Sequence, residues 1–134
     1  GTTSTNVQEQ PRKELRPIFA YTGSEKLDAV LIGEGGGTFD SGDSLNLRKG
    51  FALKVQSRIS GELAVYEVHS PDKLERWPLG KTKIVADEIF TVPAKGRLIR
   101  LSEPKNLLVL KLVINEEKTD EVSKLFVFGH LVGN

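Results

Sequence analysis

Apolar and polar residues alternate with a period of two along most of the chain after residue 15. Phe51, Leu53 and Val55 alternate with Ala52, Lys54 and Gln56, the pattern of a strand with one buried face. Leu45 and Leu47 alternate just upstream, with Lys49-Gly50 as an irregularity between the two runs. Ser60-Gly61 supplies a turn, and residues 62–69 (ELAVYEVH) read as the next strand. Ala64, Tyr66 and Val68 share one face of it and Leu63 and Val65 the other. Apolar residues on both faces predict a central strand.

The same signals continue to the C-terminus. Ser70-Pro71-Asp72 is a turn, with proline where its φ is pre-set. Pro78 confines residues 74–79 (LERWPL) to an edge or a loop. Ile89, Phe90 and Val92 form an apolar run stopped by Pro93, and a turn at 94–96 leads into residues 97–101, read as a further strand in which Leu98, Ile99 and Leu101 mix with two arginines. Residues 107–114 (LLVLKLVI) are the most apolar strand and the predicted centre of the core, while residues 27–32 (LDAVLI) predict a strand before a glycine cluster. In residues 116–126, Val122, Leu125 and Phe126 fall at helical spacing. A short helix there, or a hairpin loop leading into a last strand over 125–132, both fit. Turns about every 8–12 residues favour a β-sandwich or barrel over an α/β fold. The predicted fold is therefore all-β: one two-sheet antiparallel sandwich of about seven to nine strands, immunoglobulin-like or related, over residues 15–134. Residues 1–14 (GTTSTNVQEQPRKE) hold only Val7 as a large apolar side chain, too little to offset the entropy of ordering them. They read as a disordered tail or tether.

Composition narrows the function. A chain of 134 residues suits one domain, large enough to bury a core without metal or disulfide staples. Cysteine is absent, which excludes disulfides, zinc-thiolate and iron–sulfur ligation and thiol nucleophiles. Lys+Arg 19 against Asp+Glu 18 leaves a formal charge of +1, so no global basic field points to nucleic acid or a membrane surface. Lys95, Arg97 and Arg100 cluster locally but lack interleaved aromatic residues. No apolar run approaches the 18 or so residues of a membrane-spanning helix. His69 and His130 are the two histidines, little material for an acid–base or metal centre.

Candidate chemistry is correspondingly sparse. The cluster Gly33-Glu34-Gly35-Gly36-Gly37 lacks both G-K-[ST] and a complete G-x-G-x-x-G, so it reads as a hairpin connection. Asp40-Ser41-Gly42-Asp43 reads as an Asx-type turn with Gly42 at its tight point. Two carboxylates fall short of calcium's six to eight oxygens, and Ser41 as a nucleophile would need one of the two histidines. Trp77, the only tryptophan, lies beside Arg76. With Tyr66 it could stack on a sugar, a peptide or an aromatic ligand, or it could fold over the core as a lid. His69 reads as a strand-end residue, without a second histidine at metal spacing. Trp77, Arg76, Tyr66 and His69 are the candidate binding residues; no catalytic residue, metal or cofactor is predicted.

The order of these motifs resembles a bacterial domain family of unknown function. Ser41-Gly42-Asp43 followed by Leu45, Leu47 and residues 51–55 (FALKV) is similar to its opening, and residues 61–66 (GELAVY) to its next strand. Arg76-Trp77-Pro78-Leu79 stands at its aromatic-proline element, residues 90–93 (FTVP) before Gly96 at its following step, and residues 107–113 at its closing strand. The polar loop after the aromatic-proline element is shortened here to residues 80–83. Members of that family occur in secreted, lipid-anchored and multidomain proteins, some beside caspase-like peptidase or Ser/Thr kinase modules. The resemblance implies a non-enzymatic accessory module of the periplasm or cell surface that binds an envelope protein, with a lipid anchor before Gly1 among the expectations. A carbohydrate- or small-ligand-binding sandwich is the alternative.

Overall fold

The computed structural model describes residues 25–94 and 96–131; the predicted tail at 1–14 and Lys95 lie outside them. Ten strands follow in order: β1 (Leu27–Gly33), β2 (Thr38–Phe39), β3 (Ser44–Leu45), β4 (Phe51–Ser57), β5 (Gly61–Ser70), β6 (Lys73–Arg76), β7 (Lys83–Ile84), β8 (Ile89–Val92), β9 (Leu107–Ile114) and β10 (Val122–His130). They form a four-stranded sheet in the order β2-β1-β4-β8 and a six-stranded sheet in the order β3-β10-β9-β5-β6, with β7 also on β5. All pairings are antiparallel except β3 with β10.

The fold is the all-β sandwich that the period-two pattern predicts. Leu27, Leu31, Phe51, Leu53 and Val55 of the first sheet pack in one core with Leu63, Val65, Leu108, Leu110, Leu112, Phe126 and Phe128 of the second. β5 is central, lying between β9 and the edge formed by β6 and β7. The glycine cluster is a hairpin turn: the Gly33 N–H donates to the Gly37 carbonyl at 2.8 Å and Gly36 takes φ 96°. Asp40–Asp43 is also a turn. The Asp43 carboxylate accepts the Asp40 N–H at 2.8 Å, and Gly42 has φ 102°, where a side chain is strained.

Of the two alternatives for residues 116–126 the hairpin loop holds, with the last strand starting earlier than 125, and one expectation changes. No helix occurs among the described residues: residues 115–121 turn, and Val122 already begins β10. Asn115 and Glu117 take φ of 56° and 66°, conformations that end regular structure. Val122 and Phe126 then face inward while Leu125 faces out, so their helix-like spacing comes from a strand with apolar residues on both faces. Residues 97–101 contribute only one bridge, Ile99 to Phe51, rather than a strand.

The segment from β6 to β7 runs along one edge of β5 with a break. The Trp77 N–H donates to the Val65 carbonyl and the Leu63 N–H to the Thr82 carbonyl, so pairing resumes after a detour at 78–81. Pro78, which has no N–H to contribute to a ladder, lies in that detour. The resulting bulge presents Trp77 beside a cleft.

Candidate functional site

Strand parity divides the predicted site residues. Tyr66 and Arg76 are cross-strand partners on the outer face of the six-stranded sheet, with the Arg76 guanidinium 5.8 Å from the Tyr66 ring centroid. Trp77 is partly buried and packs against the core. It lines a cleft of about 310 Å³ whose apolar wall includes Leu79, Val92, Ile99 and Leu101. His69 lies on the Trp77 side of the hairpin, with Glu67 and Glu75. The structure therefore joins Trp77 and His69 into one region and pairs Tyr66 with Arg76 on the outer face, Arg76 also sharing an edge cleft with Trp77.

The Trp77 indole N–H donates to Glu67 Oε1 at 3.3 Å. Glu67 and Glu75 face each other across β5 and β6, a like-charge pair that needs a cation nearby. His69 Nε2 is 2.8 Å from Glu75 Oε1, and Lys105 Nζ is 3.1 Å from His69 Nδ1. Lysine only donates, so this pattern assigns Nδ1 as acceptor and the Nε2–H as donor to Glu75. Lys105 Nζ is also 3.4 Å from Glu67 Oε2, but not in hydrogen-bonding geometry, and that buried oxygen has no hydrogen-bond donor.

Sequence reasoning missed Glu67, Glu75 and Lys105. One signal was available: Glu67 has the parity of Leu63 and Val65, which face the core, and its side chain is only 7% exposed. A carboxylate on the buried face of a central strand marks a polar cluster or a site. Glu75 follows from the hairpin register, whereas Lys105 arrives from a distant turn and leaves no local signal.

The other candidates have structural partners. Ser41 Oγ accepts the Val127 N–H at 2.9 Å, and His130 Nδ1 accepts the Leu47 N–H at 3.0 Å. Arg100 pairs with Glu34 at 3.3 Å. Glu34 also accepts the Gly50 N–H. That bond, aided by Arg100, holds its carboxyl below the usual value.

The outer face of the six-stranded sheet mixes exposed aliphatic side chains with basic ones. One row across it runs Leu125, Lys111, Tyr66, Arg76, and the adjacent row pairs Val127 with Val109 and Val68 with Leu74. Leu125 is 58% exposed, Leu107 56%, Leu74 46% and Val127 37%. Contiguous exposed aliphatic side chains of this kind mark interaction surfaces.

The Tyr66 hydroxyl donates to both carboxylate oxygens of Glu116, at 2.7 and 3.0 Å. This bond, with a smaller contribution from burial, pushes the phenol above its ordinary 10.0. The contact's stabilising contribution is fully present below the unfolded value and is lost as pH rises through the higher folded value. Spectrophotometric titration in a Tyr21→Phe background should give a Tyr66 midpoint above 10, shifted down by Glu116→Gln. An unchanged midpoint in that variant would show the hydroxyl not to be held by Glu116.

Comparison with protein-family models, with curated proteins and with solved structures returns no match.

Proposed function

We propose that this chain is a non-enzymatic interaction module of the bacterial envelope, exposed to the periplasm or the cell surface, which docks a protein partner on the outer face of its six-stranded sheet. The observation that carries this reading is the set of solvent-facing aliphatic side chains, Leu74, Leu107, Leu125 and Val127, spread over neighbouring rows of this face. Recognition follows from composition: with Lys111 and Arg76 among these side chains, the complementary partner surface is apolar and carries carboxylates. The envelope assignment rests on the order of strand-and-turn motifs described above. No helix among the described residues is long and apolar enough to cross a membrane.

A direct test compares the parent chain with a Leu125→Glu/Val127→Glu variant as bait in a detergent extract of bacterial envelopes. Both side chains are solvent-facing, so thermal unfolding should stay within about 1 kcal/mol of the parent. A specific partner should be retained by the parent and lost from the variant. Equal retention by both would exclude this face as the docking surface.

The small-ligand alternative has one observation in its favour, the Trp77 cleft. Trp77 and Arg76 also line one shallow edge cleft with Pro78, Leu79 and Thr82, and Tyr66 stands across the strand pair from Arg76.

A further inference from the structure

We infer that Glu67, His69 and Lys105 form a pH-sensitive latch on the Trp77 cleft: protonation of His69 displaces the Lys105 ammonium, and the imidazolium takes over the Glu67 carboxylate that anchors the Trp77 indole. The polar groups stand in one chain. The Trp77 indole N–H donates to Glu67 Oε1 at 3.3 Å. Lys105 Nζ lies 3.4 Å from Glu67 Oε2 and 3.1 Å from His69 Nδ1, and His69 Nε2 lies 2.8 Å from Glu75 Oε1. The ammonium therefore stands beside both Nδ1 and Oε2, which are themselves 3.9 Å apart.

This arrangement suits the neutral imidazole. A lysine ammonium only donates, so its hydrogen bond to Nδ1 requires a lone pair there, whereas both nitrogens of an imidazolium carry protons. Once Nδ1 is protonated, two cationic donors face each other across 3.1 Å, and one must leave. His69 is held by its strand and by Glu75, whose bond to the Nε2–H strengthens when the ring is charged. Lys105 is a long side chain from the turn before β9, with 22% of it exposed, so it is the one that swings into water. The Nδ1–H then faces Glu67 Oε2, a buried oxygen that had no hydrogen-bond donor. The exchange replaces a misaligned ion pair with a charge-assisted hydrogen bond.

Among the described residues, charged groups face His69 from three elements: Glu67 from β5, Glu75 from β6 and Lys105 from the turn. On β9 the residue paired with Glu67 is the aliphatic Leu110. Closing the 3.9 Å gap to about 2.8 Å draws the Glu67 carboxylate away from the indole, whose bond at 3.3 Å is already longer than usual. Trp77, Glu67 and Glu75 line one cleft with Leu101 and Ser102, so the exchange loosens its rim in mild acid and restores it when the ring is neutral. Arg48 donates to the Lys105 carbonyl, and the Asn106 carbonyl accepts the His130 N–H at 3.0 Å. These bonds confine the movement to the Lys105 side chain. The latch lies on the other side of the sheet from the proposed docking face and stands or falls separately from it.

Titration of the full chain from about pH 8 to 5, the interval in which histidine changes charge, tests the latch by NMR. The His69 ring, the Trp77 indole N–H and the Lys105 ε-methylene resonances should move together with one midpoint. Acrylamide quenching of Trp77, the only tryptophan, should rise about twofold across the same transition. His69→Gln, near the end of β5 and outside the core, should leave the Trp77 signal and its quenching flat even though His130 is still present. Lys105→Met removes the competing cation and should raise the His69 midpoint by about half a pH unit or more. The inference is overturned if the His69 ring titrates while Lys105 and Trp77 do not respond, or if the Trp77 transition survives in His69→Gln.

Discussion

Phe51→Ala should cost about 3–5 kcal/mol of folding stability, the usual range for removing a fully buried phenylalanine side chain. Phe51 is 0% exposed and occupies a junction. It opens β4, pairs with Gly33 of β1, and exchanges backbone hydrogen bonds with Ile99 at 3.0 and 2.6 Å. Its ring belongs to the core shared by the two sheets, while its backbone holds the 97–101 segment, which has no other ladder. Neighbouring strands held by continuous hydrogen bonding cannot collapse far into the space left behind, so the cavity term should be near the upper end. Since domains of this size are stable by only about 5–15 kcal/mol, the thermal midpoint should fall by roughly 10–20 °C. Leu125→Ala, by contrast, removes a solvent-facing side chain and should change stability by about 0.5 kcal/mol or less. Chemical denaturation of the two variants beside the parent checks both. A Phe51→Ala cost below about 1.5 kcal/mol would mean that its ring is not a core element.

The second large effect is expected at Gly61. A Cβ there would overlap the Asn115 side-chain amide. That amide cannot retreat freely: Oδ1 accepts the Glu62 N–H at 3.0 Å, Nδ2 donates to Asp120 at 3.0 Å, and the Asn115 N–H donates to the Glu62 carbonyl at 2.8 Å. Asn115 is buried and holds φ 56°, so it fixes the turn between β9 and β10 against the start of β5. Gly61→Ala should cost about 1–3 kcal/mol through overpacking, and more if the amide's hydrogen bonds break. A double-mutant cycle separates this from any general effect on β5. Asn115→Gly keeps the positive φ while removing the amide, so Gly61→Ala should be close to neutral in that background. The expected coupling exceeds about 1 kcal/mol, whereas additive costs would show that the two residues do not meet.

Most of the sandwich was legible because a half-buried strand writes its two faces into the sequence. Phe51-Leu53-Val55 in β4, the two-faced β5 and the apolar β9 are read directly from residue parity. β10 was ambiguous for a physical reason: Val122 and Phe126 serve the core while Leu125 and Val127 form the outer face, and such doubly apolar strands have lost the alternation that tells them from a helix. The 97–101 segment looked strand-like because Ile99 and Leu101 pack against the core, but packing without a partner strand gives a bridge and no ladder.

The polar cluster was half legible. Glu67 falls on the buried parity of a strand already read as central, so its carboxylate could have been expected among apolar neighbours. Its meeting with Lys105 depends on a turn far along the chain, held in part by Arg48 donating to the Lys105 carbonyl, and no local pattern encodes such a contact. Tyr66, Arg76 and Trp77 are neighbours in sequence or across one hairpin, yet one-residue parity sends Trp77 to the opposite face.

Docking of a partner on the outer face of the six-stranded sheet is tested most directly by site-specific photo-cross-linking in the native envelope. A photoreactive residue at Leu125 should give one discrete adduct heavier than the chain. The same residue at Val85, equally exposed at 54% but in the loop between β7 and β8, should give none. Adducts of equal yield at both positions, or none at Leu125, would contradict the docking assignment.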